Sequence, residues 1–120
     1  MRIVELAGTC SAGGALTLTA DENSVGYIEK IVMDYDDGDT GADSVWTNED
    51  GAATTAVMTL ANLGTSDATW MPRALCNKVA DGSAFTDVAE RIFVTGGMKV
   101  VIANGGNAKN FRFLITITDE

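Results

Sequence analysis

Short β-prone runs separated by glycine leave this chain few ways to fold. Glycine occurs 13 times and proline once, at Pro72. The runs between glycines are rich in valine, isoleucine, threonine and aromatic residues, and each is too short to build a framework of helices. The sharpest run is 111–118. There Phe111, Phe113, Ile115 and Ile117 alternate with Arg112, Leu114, Thr116 and Thr118. Successive strand side chains point to opposite faces, so the pattern predicts a half-buried antiparallel strand with the first four residues in the core.

Other runs extend the pattern. Residues 91–95 and 98–103 flank Gly96-Gly97. Glycine accepts the positive φ of a two-residue turn, so these runs are expected to form a hairpin. With 111–118 the C-terminal third then becomes a three-stranded meander. Residues 15–19, 25–35, 43–47 and 55–60 are further strands, and 2–6 an edge strand. Within 25–35, alternation places Tyr27, Ile31, Met33 and Tyr35 on one face and Ile28 and Val32 on the other. The one helical signal is a single turn at 83–90. The total is about eight strands in one domain spanning 1–120. The expected fold is all-β, an antiparallel β-sandwich or small barrel with a jelly-roll or immunoglobulin-like winding.

Composition narrows the function. Seventeen acidic residues against eight basic ones give a net charge of −9. Such a surface repels nucleic-acid phosphates and anionic membranes, and favours solubility or a partner with basic patches. The chain has no histidine, which removes the common proton shuttle and metal ligand and makes Ser-His-Asp and Cys-His mechanisms impossible. No enzymatic activity and no cofactor are expected. The two cysteines, Cys10 and Cys76, read as reduced packing residues rather than a disulfide framework. The opening residues lack the apolar core of a signal peptide, and no run approaches the ~18 apolar residues of a membrane helix. Synthesis in a reducing cytoplasm follows as the expectation.

Two segments stand out as contact candidates. Trp70, Met71, Pro72 and Arg73 join apolar bulk to a fixed φ and a forked cation, which suits an edge strand or extended connection. Residues 34–43 include Asp34, Asp36, Asp37, Asp39 and Asp43. Counted from Asp34, Gly38 and Asp39 fall where an EF-hand needs an acid and a glycine, so that pattern fails. The loop is then an acidic turn, or a calcium site of another kind. Trp46 and Trp70 suit either a buried core or a stacking and anchoring role. A calcium- or glycan-binding module using Asp36, Asp39 and Trp46 is the alternative reading.

The ordered set Tyr27-Ile28-Glu29-Lys30-Ile31, 39–43 with Trp46-Thr47, Pro72-Arg73-Ala74, Arg91-Ile92, 99–103 and Gly105-Gly106-Asn107-Ala108-Lys109 resembles small virion structural proteins of tailed bacteriophages, of the capsid cement or decoration type. The resemblance covers residues 25 to the end. It implies a compact β protein, often a homotrimer, on the outer surface of the capsid at junctions between capsomers, assembled in the host cytoplasm. It implies the major capsid protein and sister copies as partners, no contact with nucleic acid or membrane, no catalytic residue and no cofactor. Neck components, tail adaptors and head fibres of similar size share this outline.

Overall fold

The computed structural model describes residues 1–35, 37–51 and 53–119. Among the described residues eleven strands follow one another: β1 (Arg2–Thr9), β2 (Leu16–Thr19), β3 (Val25–Met33), β4 (Asp43–Glu49), β5 (Thr54–Leu60) and β6 (Ala68–Trp70) come first. Then come β7 (Arg73–Asn77), β8 (Ala84–Arg91), β9 (Phe93–Thr95), β10 (Met98–Ala103) and β11 (Asn110–Thr118). The fold is all-β, as the alternation requires.

All pairings are antiparallel. One sheet runs β1-β11-β3-β6 with β9 also on β3, the second runs β2-β10-β4-β5, and β7 and β8 pair with each other alone. β6 lies opposite residues 31–33 and β9 opposite residues 25–27. These two strands therefore sit end to end on one edge of β3, as a single strand interrupted. The β7–β8 hairpin leaves the sheet at the interruption. Without that hairpin, and with β6 and β9 taken as one, the framework has the expected eight strands. The first pairs with the last, the second with the seventh, the third with the sixth and the fourth with the fifth. A nested ribbon of this kind wrapped into two sheets is a jelly roll. An immunoglobulin sandwich sets its first strand beside its second in one sheet, whereas β1 and β2 belong to different sheets. β1 takes the expected edge position.

The core lies between the sheets. Phe111, Phe113, Ile115 and Ile117 are all buried, as expected from the alternation of β11, and face Trp46, Met98, Val100 and Ile102 from the other sheet. Trp46 meets Phe113 edge to face, with centroids 5.0 Å apart at 89°. Its indole N–H donates to the Ser44 hydroxyl at 3.1 Å. The one polar atom of the largest core side chain is thus satisfied.

Three expectations are corrected. The first concerns β3. The register slips between Thr116 and Ile117, which lie opposite Lys30 and Ile28, so Glu29 is the extra residue of a β-bulge. A bulge resets alternation. Ile28 therefore joins Ile31 and Met33 in the core, and Tyr27 is only half buried. Second, residues 83–90 are not a helical turn. β8 pairs with β7 from Arg73 opposite Arg91 to Leu75 opposite Ala89, and again at Asn77 opposite Ala84 after a register shift, and this ladder satisfies more backbone groups than an isolated turn.

The third correction is the Gly96-Gly97 hairpin and its meander. β9 and β10 do not pair; the two glycines carry the chain from one sheet to the other. Close backbone approach explains them. A Cβ on Gly97 would lie 1.7 Å from the Glu49 carbonyl oxygen, and one on Gly96 2.1 Å from that of Glu22. The Glu49 N–H also donates to the Gly97 carbonyl at 2.9 Å. Gly97→Ala is therefore expected to cost about 3 kcal/mol of stability, read from the urea midpoint. Gly13→Ala, whose new carbon meets nothing closer than the Ser11 hydroxyl at 3.9 Å, should stay within about 0.5 kcal/mol of wild type.

Candidate functional site

The β7–β8 hairpin is an arm. Every residue from 73 to 90 is exposed except Cys76, which is half buried. Leu75, Val79, Phe85 and Val88 all present apolar surface to solvent. The arm is nevertheless well formed. At its tip the Lys78 N–H donates to the Ser83 carbonyl at 2.7 Å and the Gly82 N–H to the Lys78 carbonyl at 2.8 Å. The Asn77 amide donates to the Gly82 carbonyl at 2.7 Å. The Asp81 carboxylate accepts from the Ser83 hydroxyl and backbone N–H, at 2.7 and 2.9 Å, and both bonds hold its pKa below the ordinary value. The Lys78 ammonium stands 5.8 Å from the Phe85 ring centre.

The arm differs from the body in charge. Residues 73–91 hold Arg73, Lys78 and Arg91 against Asp81, Asp87 and Glu90, so they sum to zero. All nine excess negative charges of the chain fall on the remainder.

The bulge in β3 anchors the root. Arg73 and Arg91 are register partners at the base of the hairpin. The bulged Glu29 lies between them, accepting a short bond from Arg91 and pairing with Arg73 at 3.9 Å. Thr118 of β11 donates to the same carboxylate at 3.1 Å, and the Arg91 guanidinium covers the Tyr27 ring at 4.7 Å. Arg73 also donates to the carbonyls of Ile28, Glu29 and Pro72, at 3.4, 3.3 and 2.8 Å. A bulge leaves carbonyls outside the ladder, and Arg73 satisfies them. The Arg91 hydrogen bond is the main cause of a Glu29 pKa below the ordinary glutamate value.

The four residues singled out at 70–73 separate in role. Trp70 packs against the core and Pro72 is buried. Arg73 serves the root. Only Met71, 66% exposed, offers its bulk to solvent.

Most described carboxylates of the acidic loop brace it. Asp34 pairs with Arg112, which also pairs with Glu5 at 3.0 Å. These contacts, the Glu5 bond foremost, raise the Arg112 pKa. Asp37 accepts from the Asn110 N–H at 2.6 Å. Asp43 accepts from the Asn62 N–H at 3.1 Å and the Asn104 amide at 3.2 Å. Asp39 is tied through its backbone, donating to Gly105 and accepting from Ala42, while its side chain lies at the surface beside Gly106. Asp36 lies outside the described residues. Among the described residues no three acidic or cysteine side chains converge as a metal site. Trp46 is fully buried, which removes it as a stacking platform for sugars. The Cys10 thiol is buried and unpaired; desolvation first, then the Asp37 and Asp39 charges, push its pKa up.

A second exposed feature lies on the outer face of the β2-β10-β4-β5 sheet. Thr17, Val101, Val45 and Thr59 stand side by side across its four strands. This row carries no charge, and both valines are exposed.

Sequence reasoning missed Glu29, Arg91 and Thr118, because nothing local marks a bulge or a contact across 62 or 89 residues. It also missed the arm's apolar side chains. No protein-family model matches the chain, and neither curated protein sequences nor solved structures give a significant match.

The root predicts an acid response. A carboxylate whose folded pKa is lowered contributes stability above its unfolded value, and that stability is lost as pH falls through the folded pKa. The arm should therefore loosen below the usual glutamate range. At neutral pH, Glu29→Gln should raise amide exchange or proteolysis within 74–90 by about fivefold, with the core amides unchanged.

Proposed function

We propose that this chain is a non-catalytic structural protein of a virus particle, a capsid cement or decoration protein that binds the outside of an assembled shell. The observation that carries this reading is the arm. A closed sandwich with a satisfied core has no reason of its own to extend a hairpin bearing Leu75, Val79, Phe85 and Val88 in water, since clustered exposed apolar side chains mark contact sites. Their role is contact with another protein surface.

Three further features support the reading. The acidic body disfavours contact with packaged nucleic acid. The histidine-free sequence lacks the side chain most often used for proton transfer near neutral pH. The uncharged row of Thr17, Val101, Val45 and Thr59 is a flat face suited to lie on a shell. A protein that binds only the assembled lattice stabilises it by mass action, and many symmetric copies add avidity.

The test uses shells of the cognate major capsid protein prepared without this chain. Added protein should bind at saturable stoichiometry and raise the temperature of shell disruption by several degrees. A variant with residues 74–90 replaced by Asn-Gly should restore little of that gain. Shells that neither bind the intact protein nor gain heat resistance would refute the proposal.

A further inference from the structure

Two β elements of this chain are unfinished, and they complement each other. The first is the arm, whose strands have no partner beyond their own hairpin. The second is β5, the outermost strand of its sheet, which among the described residues pairs only with β4. An edge strand presents a row of free N–H and C=O groups, and proteins ordinarily protect it with charge, proline, extreme shortness or a bulge. The seven residues of β5, Thr-Thr-Ala-Val-Met-Thr-Leu, include no ionisable side chain and no proline. Among the described residues, one bulge opposite Trp46 and Thr47 is its only such protection.

We infer that the arm of one copy adds to the β5 edge of a second copy, so that β8 extends the β2-β10-β4-β5 sheet of its neighbour. This rests on the reading of the arm as a docking element and commits that element to a sister subunit. Length supports the match, since β8 has eight residues and β5 seven, each with one irregularity in its existing ladder. Charge supports it further. Two bodies of net −9 repel, so a self-contact must join neutral surfaces and hold the bodies apart. The arm sums to zero, and β5 carries no charge. With the arm the molecule measures 49 Å along its longest axis against 29 and 26 Å. The contact joins a net-neutral arm to an uncharged strand, so the excess charge of the acidic bodies stays outside the interface. Main-chain ladder bonds would supply affinity, and the exposed apolar side chains of the arm would supply selection.

The inference concerns the purified chain with no shell present, so its outcome is separate from that of the shell-binding test. Sedimentation or light scattering across concentration should show a reversible oligomer. Two variants should each be monomeric: one with residues 74–90 replaced by Asn-Gly, and one with Ala56→Lys and Thr59→Lys, which places charge on the exposed positions of β5. Mixing them should restore a one-to-one complex, because one retains a free edge and the other a free arm. If the shortened chain fails to fold by circular dichroism, Leu75→Lys with Val88→Lys takes its place. A wild type that stays monomeric at roughly 100 μM overturns the inference. So does an edge variant that oligomerises as wild type does, or a mixture that gives no complex. A wild type that binds shells yet stays monomeric on its own would sink this inference alone.

Discussion

The bulge at Glu29 is the constraint on which the rest of the structure turns. One extra residue in β3 brings Ile28 into the core, lies at the gap between β6 and β9, and leaves the Ile28 and Glu29 carbonyls accepting from Arg73. The same residue supplies the carboxylate that gathers Arg73, Arg91 and Thr118. Core packing and arm attachment therefore meet at one residue, beside the gap between β6 and β9.

Around that point the jelly roll is held by contacts distant in sequence. β11, the last of the eleven strands, lies between β1 and β3 in the first sheet. Its inward residues meet those of β4 and β10, with the Trp46–Phe113 contact at the centre. Because the pairing nests first with last, most native contacts close long loops, which favours slow folding. The arm stands apart from this network and touches the body mainly through its root.

The framework was legible in the sequence to the extent that each strand carried its own alternation. β11 is the plainest case, since period two held over its whole length and each predicted inward residue is buried. The count of about eight strands matches the wound framework. What failed did so where the deciding partner was remote. Gly96-Gly97 has the composition of a hairpin turn, but its glycines answer to the carbonyls of Glu22 and Glu49 across the molecule. Residues 83–90 look helical in isolation because neither face of β8 is buried by the body, so no alternation marks it as a strand. For the candidate site, Arg73 was named from its forked chemistry next to Pro72. Its partner Glu29 was invisible, since a bulge is fixed by the register of a neighbouring strand.

An interrupted strand frees one part of a protein from the geometry of the remainder. With the root residues Arg73 and Arg91 kept, β6 and β9 hold their places on β3 whatever lies between residues 73 and 91. The hairpin can grow or shrink by residue pairs, or exchange its side chains, while all eight wound strands hold their register. Such a scaffold can be refitted for new neighbours by editing a single insertion, with the cost of each change confined to a segment that contributes almost nothing to the core.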